Sequence, residues 1–151
     1  MLVFRRGLVV AVLVVVLLTA GIAVASSSAT HQQWVANANA ACTWGGTQRK
    51  KLGPNNGTVA QWLIVLPKLR NIQVEVVRRI RLVTPPPSDQ MLVHDLIFTY
   101  WLKDIAEERH AYLLLKAKDV EGFKKSLARI FWYERNEDVL LRALGTKCRQ
   151  V

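Results

Sequence analysis

The chain has 151 residues, with 21 basic and 11 acidic side chains, a net charge of +10 and two cysteines. That is one domain's worth of sequence, long enough to bury a core once any targeting segment is subtracted. The serines at 26–28, 88 and 126 assemble into no Ser-His-Asp order and there is no glycine-rich phosphate loop, which speaks against hydrolase and nucleotide-phosphate chemistry.

The N-terminal stretch "MLVFRRGLVVAVLVVVLLTAGIAVASSSAT" opens with Arg5 and Arg6, is apolar from Gly7 to Ala25 and turns polar at Ser26. It reads as a signal peptide or a membrane anchor. Ala23-Val24-Ala25 has the small-x-small pattern of a cleavage site, whereas the 19-residue apolar run is long enough to cross a hydrocarbon core of roughly 28 Å. In both cases the arginines stay on the cytoplasmic side and residues from Ser26 onward face out. The expectation is a single-pass membrane protein with its C-terminal domain outside, or a domain secreted after cleavage following Ala25. Without residues 1–25 the chain remains basic, with 19 cationic against 11 anionic side chains. Outside a membrane that excess favours an anionic envelope surface, with nucleic acid a less available partner.

From Thr30 the sequence reads as helices separated by breakers. "THQQWVANANAACTW" opens with a capping box, Thr30 with Gln33, and is expected to end at Gly45-Gly46. One more helical turn in "TQRKKLG" is open before the loop at 53–57. A second helix starts on Thr58 with Gln61 and is expected to run to about Val83. Trp62, Leu66, Leu69, Ile72, Val76, Ile80 and Val83 form its apolar stripe, and Pro67 is expected to kink it. Pro85, Pro86 and Pro87 stop the chain. A third helix is expected over 89–116, with Ile97, Trp101, Ile105, Tyr112 and Leu115 on one face. Asp119 caps a fourth, striped by Phe123, Leu127, Ile130, Leu141 and Leu144. The fold class is therefore all-α: a transmembrane or signal segment over 1–29, then a four-helix bundle over 30–151.

Two cysteines in an oxidising compartment are most economically one disulfide, Cys42 to Cys148, tying the first helix to the tail of the last. Two free buried thiols or an intermolecular bridge are the alternatives. A two-thiolate metal site would find only His31 nearby as a further ligand.

Read in order, the apolar N-terminus, "NANAAC", "RLVTPPPSD", "KDVEGF" and "LGTKC" resemble a group of uncharacterised actinobacterial envelope proteins with "ADAIC", "LxPP", "GDxxAF" and "LGxxxC" in the same succession. The resemblance spans nearly the whole chain. It implies a helical bundle with an N-to-C disulfide, carried here by Cys42 and Cys148, and no known activity.

Three groups of side chains carry candidate chemistry. Glu107 and His110 form one E-x-x-H, a di-iron half-motif without its second copy, on the side of the third helix opposite Trp101. A solvated charge run is the expectation there, and no metal or other cofactor is implied. His94 and Glu108 stand seven residues before and after Trp101 and are expected to share its apolar face. Arg79 of the second helix or Arg135 of the fourth could partner them in a polar pocket. Aromatic groups at Trp34 and Trp44, 98–101 and 131–133, with the cations at 49–51 and 78–81, suggest a core with sticky basic flanks. Tyr100 or Trp132 would be left exposed. The leading expectation is a non-enzymatic envelope interaction module, held by the membrane through residues 7–25 and meeting an anionic envelope surface or another envelope protein. The alternative is a small-ligand or metal-binding bundle built on His94 and Glu108.

Overall fold

The computed structural model describes residues 28–54 and 57–148, and over them the chain is all-helical. Helix α1 (His31–Lys50) starts on the anticipated capping box. The Thr30 hydroxyl accepts from the Gln33 amide at 3.2 Å, and the Gln33 side chain accepts from the Thr30 amide at 2.9 Å. Its buried face, Trp34, Ala38, Ala41, Cys42 and Gly45, is mostly small, so the backbone of α1 can lie close to its neighbour α2.

The helix does not stop at Gly45-Gly46 but continues to Lys50. Two glycines cost about 1 kcal/mol each relative to alanine. Tertiary contacts on the last two turns oppose that cost: Trp44 lies under the Arg79 guanidinium at 4.2 Å, and Arg49 reaches Glu134 at 3.7 Å.

Helix α2 (Val59–Ile80) is capped by Thr58, whose hydroxyl accepts from the Gln61 amide at 3.3 Å. It runs unbroken through Pro67 and ends at Ile80, short of Val83. Its last carbonyls lack intrahelical donors, and the Asn37 side-chain amide of α1 donates to those of Arg79 and Ile80 at 3.2 and 3.3 Å. The first asparagine of "NANAAC" is thus a cap supplied from another helix.

The third rod is built from three pieces: α3 (Gln90–His94), a π-helical segment (Asp95–Trp101) and α4 (Leu102–Lys116). In the π segment hydrogen bonds reach back five residues, as from the Leu102 amide to the Ile97 carbonyl, so each residue turns the helix by less than the roughly 100° of an α-helix. At the start of this rod the Asp89 side chain makes no cap hydrogen bond and pairs instead with His31 Nδ1 at 2.6 Å. Helix α5 (Val120–Ala143) is capped by Asp119, whose carboxylate accepts from the Gly122 amide at 2.8 Å.

The four rods enclose two apolar clusters. One contains Trp34, Val76, Ile80, Leu96, Trp101 and Leu144; the other contains Leu66, Ala111, Leu115, Phe123 and Ile130. Cys42 and Cys148 are joined by a disulfide inside the first, with their Cα atoms 5.4 Å apart and a sequence separation of 106. The tail that carries Cys148 is also held by Asn39, whose side-chain oxygen accepts from the Lys147 amide at 2.6 Å. No helix of the described residues is long and apolar enough to cross a membrane, and the run 7–25 lies outside the described residues.

Candidate functional site

Between the two apolar clusters the interior turns polar. On α2, Gln73 lies between Leu66 of one cluster and Val76 of the other. On α4, Asp104 and Glu108 are one turn apart, and on α5 Glu134 and Glu137 stand between Ile130 and Leu141. All five side chains are buried, with Asp104 at 0% and Glu108 at 4% exposure. Arg49 closes the layer from the end of α1, so every rod supplies a member.

A carboxylate taken out of water needs compensation, and this layer offers little. Gln73 Nε2 donates to Asp104 Oδ2 at 3.0 Å, and the Trp101 indole lies near enough to Glu137 to favour its charged form. Arg49 is the cation paired with Glu134. Asp104 Oδ1, Glu108 Oε2, Glu137 Oε1, Gln73 Oε1 and Arg70 Nε are buried without a hydrogen-bond partner.

The acids respond by holding protons. Burial, reinforced by the charge of Asp104, pushes the Glu108 carboxyl up to about 9, and burial with the charges of Asp104 and Glu134 does the same for Glu137. Burial raises Asp104 to about 7 against the opposing Gln73 hydrogen bond, and it raises Glu134 against the pull of Arg49. With Glu108 and Glu137 neutral, the net charge at neutral pH rises from +10 to about +12. Among the described residues, no three histidine, cysteine or carboxylate side chains are placed to hold a metal ion.

Glu108 also opens outward. It lies on a cleft between α2 and α4, of about 320 Å³, whose lining includes Arg70, Arg109 and Tyr112. His94 lines a different groove, of about 230 Å³, with Trp34, Arg81 and Phe98. The structure therefore does not bring His94 and Glu108 together. The π segment between them is the reason: an offset of seven across it does not return to the face of Trp101, and His94 points out with its side chain 66% exposed.

The two arginines expected to partner them are elsewhere as well. Arg79 pairs with Glu75 at 2.8 Å and covers Trp44, while Arg135 is exposed on α5. Glu107, expected in solvent, packs between α4 and α5, where it accepts from Ser126 Oγ at 2.6 Å and Arg129 Nε at 2.9 Å; His110 is exposed.

The exterior is cationic. None of the described lysines and arginines is fully buried, while four of the eleven acids lie inside. Exposed aromatics are interleaved with these charges. Trp132 is 49% exposed, with Tyr100 and Tyr133 at 5.9 and 5.1 Å from its ring, and Arg81 lies 5.7 Å from the Phe98 ring. Leu82 and Met91, 68% and 75% exposed, are chain neighbours of Arg81 and Gln90, which line the groove of His94 at the end of the bundle where α1 begins. Comparison of the chain with models of known protein families, with curated proteins and with solved structures finds no match.

Proposed function

We propose that this protein is a membrane-tethered, extracytoplasmic helical bundle that acts as a non-enzymatic interaction module for an anionic envelope surface. The observation that carries the reading is the partition of charge: the bundle withdraws acids into its interior and keeps its described cations at the surface. The disulfide between Cys42 and Cys148 supports a compartment outside the cytoplasm, where such bonds persist.

Geometry adds a direction. Four residues separate the apolar run, which ends at Ala25, from the cap of α1 at Thr30. On this reading so short a tether favours an orientation with the α1 end of the bundle toward the membrane, and the exposed Leu82, Met91 and Phe98 with Arg81 at that end support it.

The test is sedimentation of residues 26–151, checked for helicity, with vesicles of phosphatidylcholine alone or mixed with phosphatidylglycerol. Binding confined to the anionic vesicles and lost in high salt is expected. Equal binding to both, or to neither, overturns the reading.

A further inference from the structure

The cleft between α2 and α4 holds two features that its surroundings leave unfinished. Glu108 is 96% buried, yet its Oε2 has no hydrogen-bond partner; Arg70, across the cleft on α2, has an equally buried and unpartnered Nε. A buried donor or acceptor without a partner costs about 1–3 kcal/mol. Both residues line one open cavity, so a small turn of either side chain presents these atoms to an incoming group, which would be rewarded twice.

The remaining walls are apolar: Leu66 and Pro67 on α2, and Tyr112 and Leu113 on α4, with Leu113 half exposed at the rim. Pro67 adds its pyrrolidine ring to this wall as carbon surface. At about 320 Å³ the cleft is at the small end of ligand sites.

We propose that this cleft binds a small amphiphilic carboxylate, whose two oxygens accept from Arg70 Nε–H and from the Glu108 carboxyl O–H while its acyl or aromatic body lies on Leu66, Pro67, Tyr112 and Leu113.

The sign of the ligand's charge follows from the neighbours. Arg70 lines the cleft and Arg109 stands at its mouth, so an anion is favoured at the opening. Behind Glu108 are Asp104 on its own helix, Glu134 and Glu137 on α5, and Arg49 from α1, where acids outnumber cations. That imbalance, with burial, keeps Glu108 protonated to about 9 and so a donor at neutral pH. An ammonium ligand would need the opposite state of Glu108 and would meet two guanidinium groups on entry. The site stands independently of what the outer surface binds.

The experiment is calorimetric titration of the full chain in lipid nanodiscs, corrected against empty nanodiscs. The probe is 3-phenylpropionate, with 3-phenylpropanol and 3-phenylpropylamine as its neutral and cationic counterparts. At pH 7 the carboxylate binds at least tenfold more tightly than either. Arg70→Gln weakens it about tenfold or more, whereas Glu108→Gln, whose amide still donates, keeps it.

Between pH 7 and 10 the unaltered protein loses affinity as Glu108 ionises, and Glu108→Gln does not. Leu113→Trp, at an exposed rim position, fills the cleft and abolishes binding, which keeps the test decisive if Arg70→Gln fails to fold. Absence of carboxylate binding, equal binding of the alcohol, or preference for the amine each overturns the proposal.

Discussion

Gln73 on α2 donates a hydrogen bond of 3.0 Å to Asp104 on α4, and Gln73 Oε1 and Asp104 Oδ1 are both buried with nothing to accept from. The pair is the middle of a layer of acids whose protonation is set by folding. Glu108 and Glu137 move from 4.5 to about 9 on burial, so between those values the native state binds more protons than the unfolded chain. Their stabilising contribution is complete below about pH 4.5 and is lost as pH rises through 9. Glu75, held down to about 2 by Arg78, titrates below this window and does not offset it. Thermal unfolding followed by circular dichroism should give a Tm that falls steadily from pH 5 to pH 9. The double variant Glu108→Gln, Glu137→Gln should flatten the profile and gain about 2 kcal/mol at pH 8. A Tm that is flat or rising across the window contradicts this account.

Opening the Cys42–Cys148 bridge removes a constraint on 106 residues of unfolded chain. The chain-entropy relation assigns a loop of that size nearly 5 kcal/mol, and a domain of this length should lose on the order of 15 °C in Tm. Cys42→Ser with Cys148→Ser, compared with the oxidised and dithiothreitol-treated protein, measures it. The reduced protein and the variant should coincide, and an unchanged Tm in both would remove the bridge from the stability of the bundle.

The turn between α4 and α5 makes two opposite predictions. A Cβ on Gly122 would collide with the Asp119 carboxylate that caps this helix and with Leu114, so Gly122→Ala should cost about 1–2 kcal/mol. Lys118, four residues earlier, has φ of 61°, the left-handed region, so Lys118→Gly should gain about 1 kcal/mol by relieving its backbone. Urea unfolding of the two variants reads both, and the same sign for the two would show the turn is not held as described.

Leu82 and Met91 are exposed at the α1 end of the bundle and belong to neither core. Aspartate at both positions should leave the unfolding free energy within about 0.5 kcal/mol of the parent and weaken binding to anionic vesicles severalfold. Aspartate at both Phe131 and Val139, 48% and 65% exposed on α5, is the charge-matched control and should weaken binding less. An equal loss from both changes would mean that net charge alone, without orientation, governs attachment.

The helices were legible because their ends are written in short-range chemistry. Thr30 with Gln33, Thr58 with Gln61 and Asp119 each cap a helix where the sequence suggested, and the proline run separates the second rod from the third. The apolar stripes located most of the core. What the stripes hid was the polar layer. The stripe of α5 passes from Ile130 to Leu141, and the two positions that complete its spacing are Glu134 and Glu137. The gap was the signal, since a face buried on both sides of it cannot surface in between. Asp104 and Gln73 carry the same signature on α4 and α2. The π segment left no comparable mark, because its wider turns depend on how Trp101 and Ile97 seat in the core, and a fixed α-helical period carried across it placed His94 on the wrong face.

The bridge between Cys42 and Cys148 also decides how the molecule bears load. Tension applied between a tether at the start of α1 and anything fastened to the C-terminal tail passes through the first half of α1, across the sulfur bond and out at Cys148. The chain between the two cysteines, which contains α2, the π segment, α4 and α5, lies off that path. The polar layer and the cleft at Glu108 are therefore mechanically shielded: a pull that frays the outer turns of α1 leaves both in place.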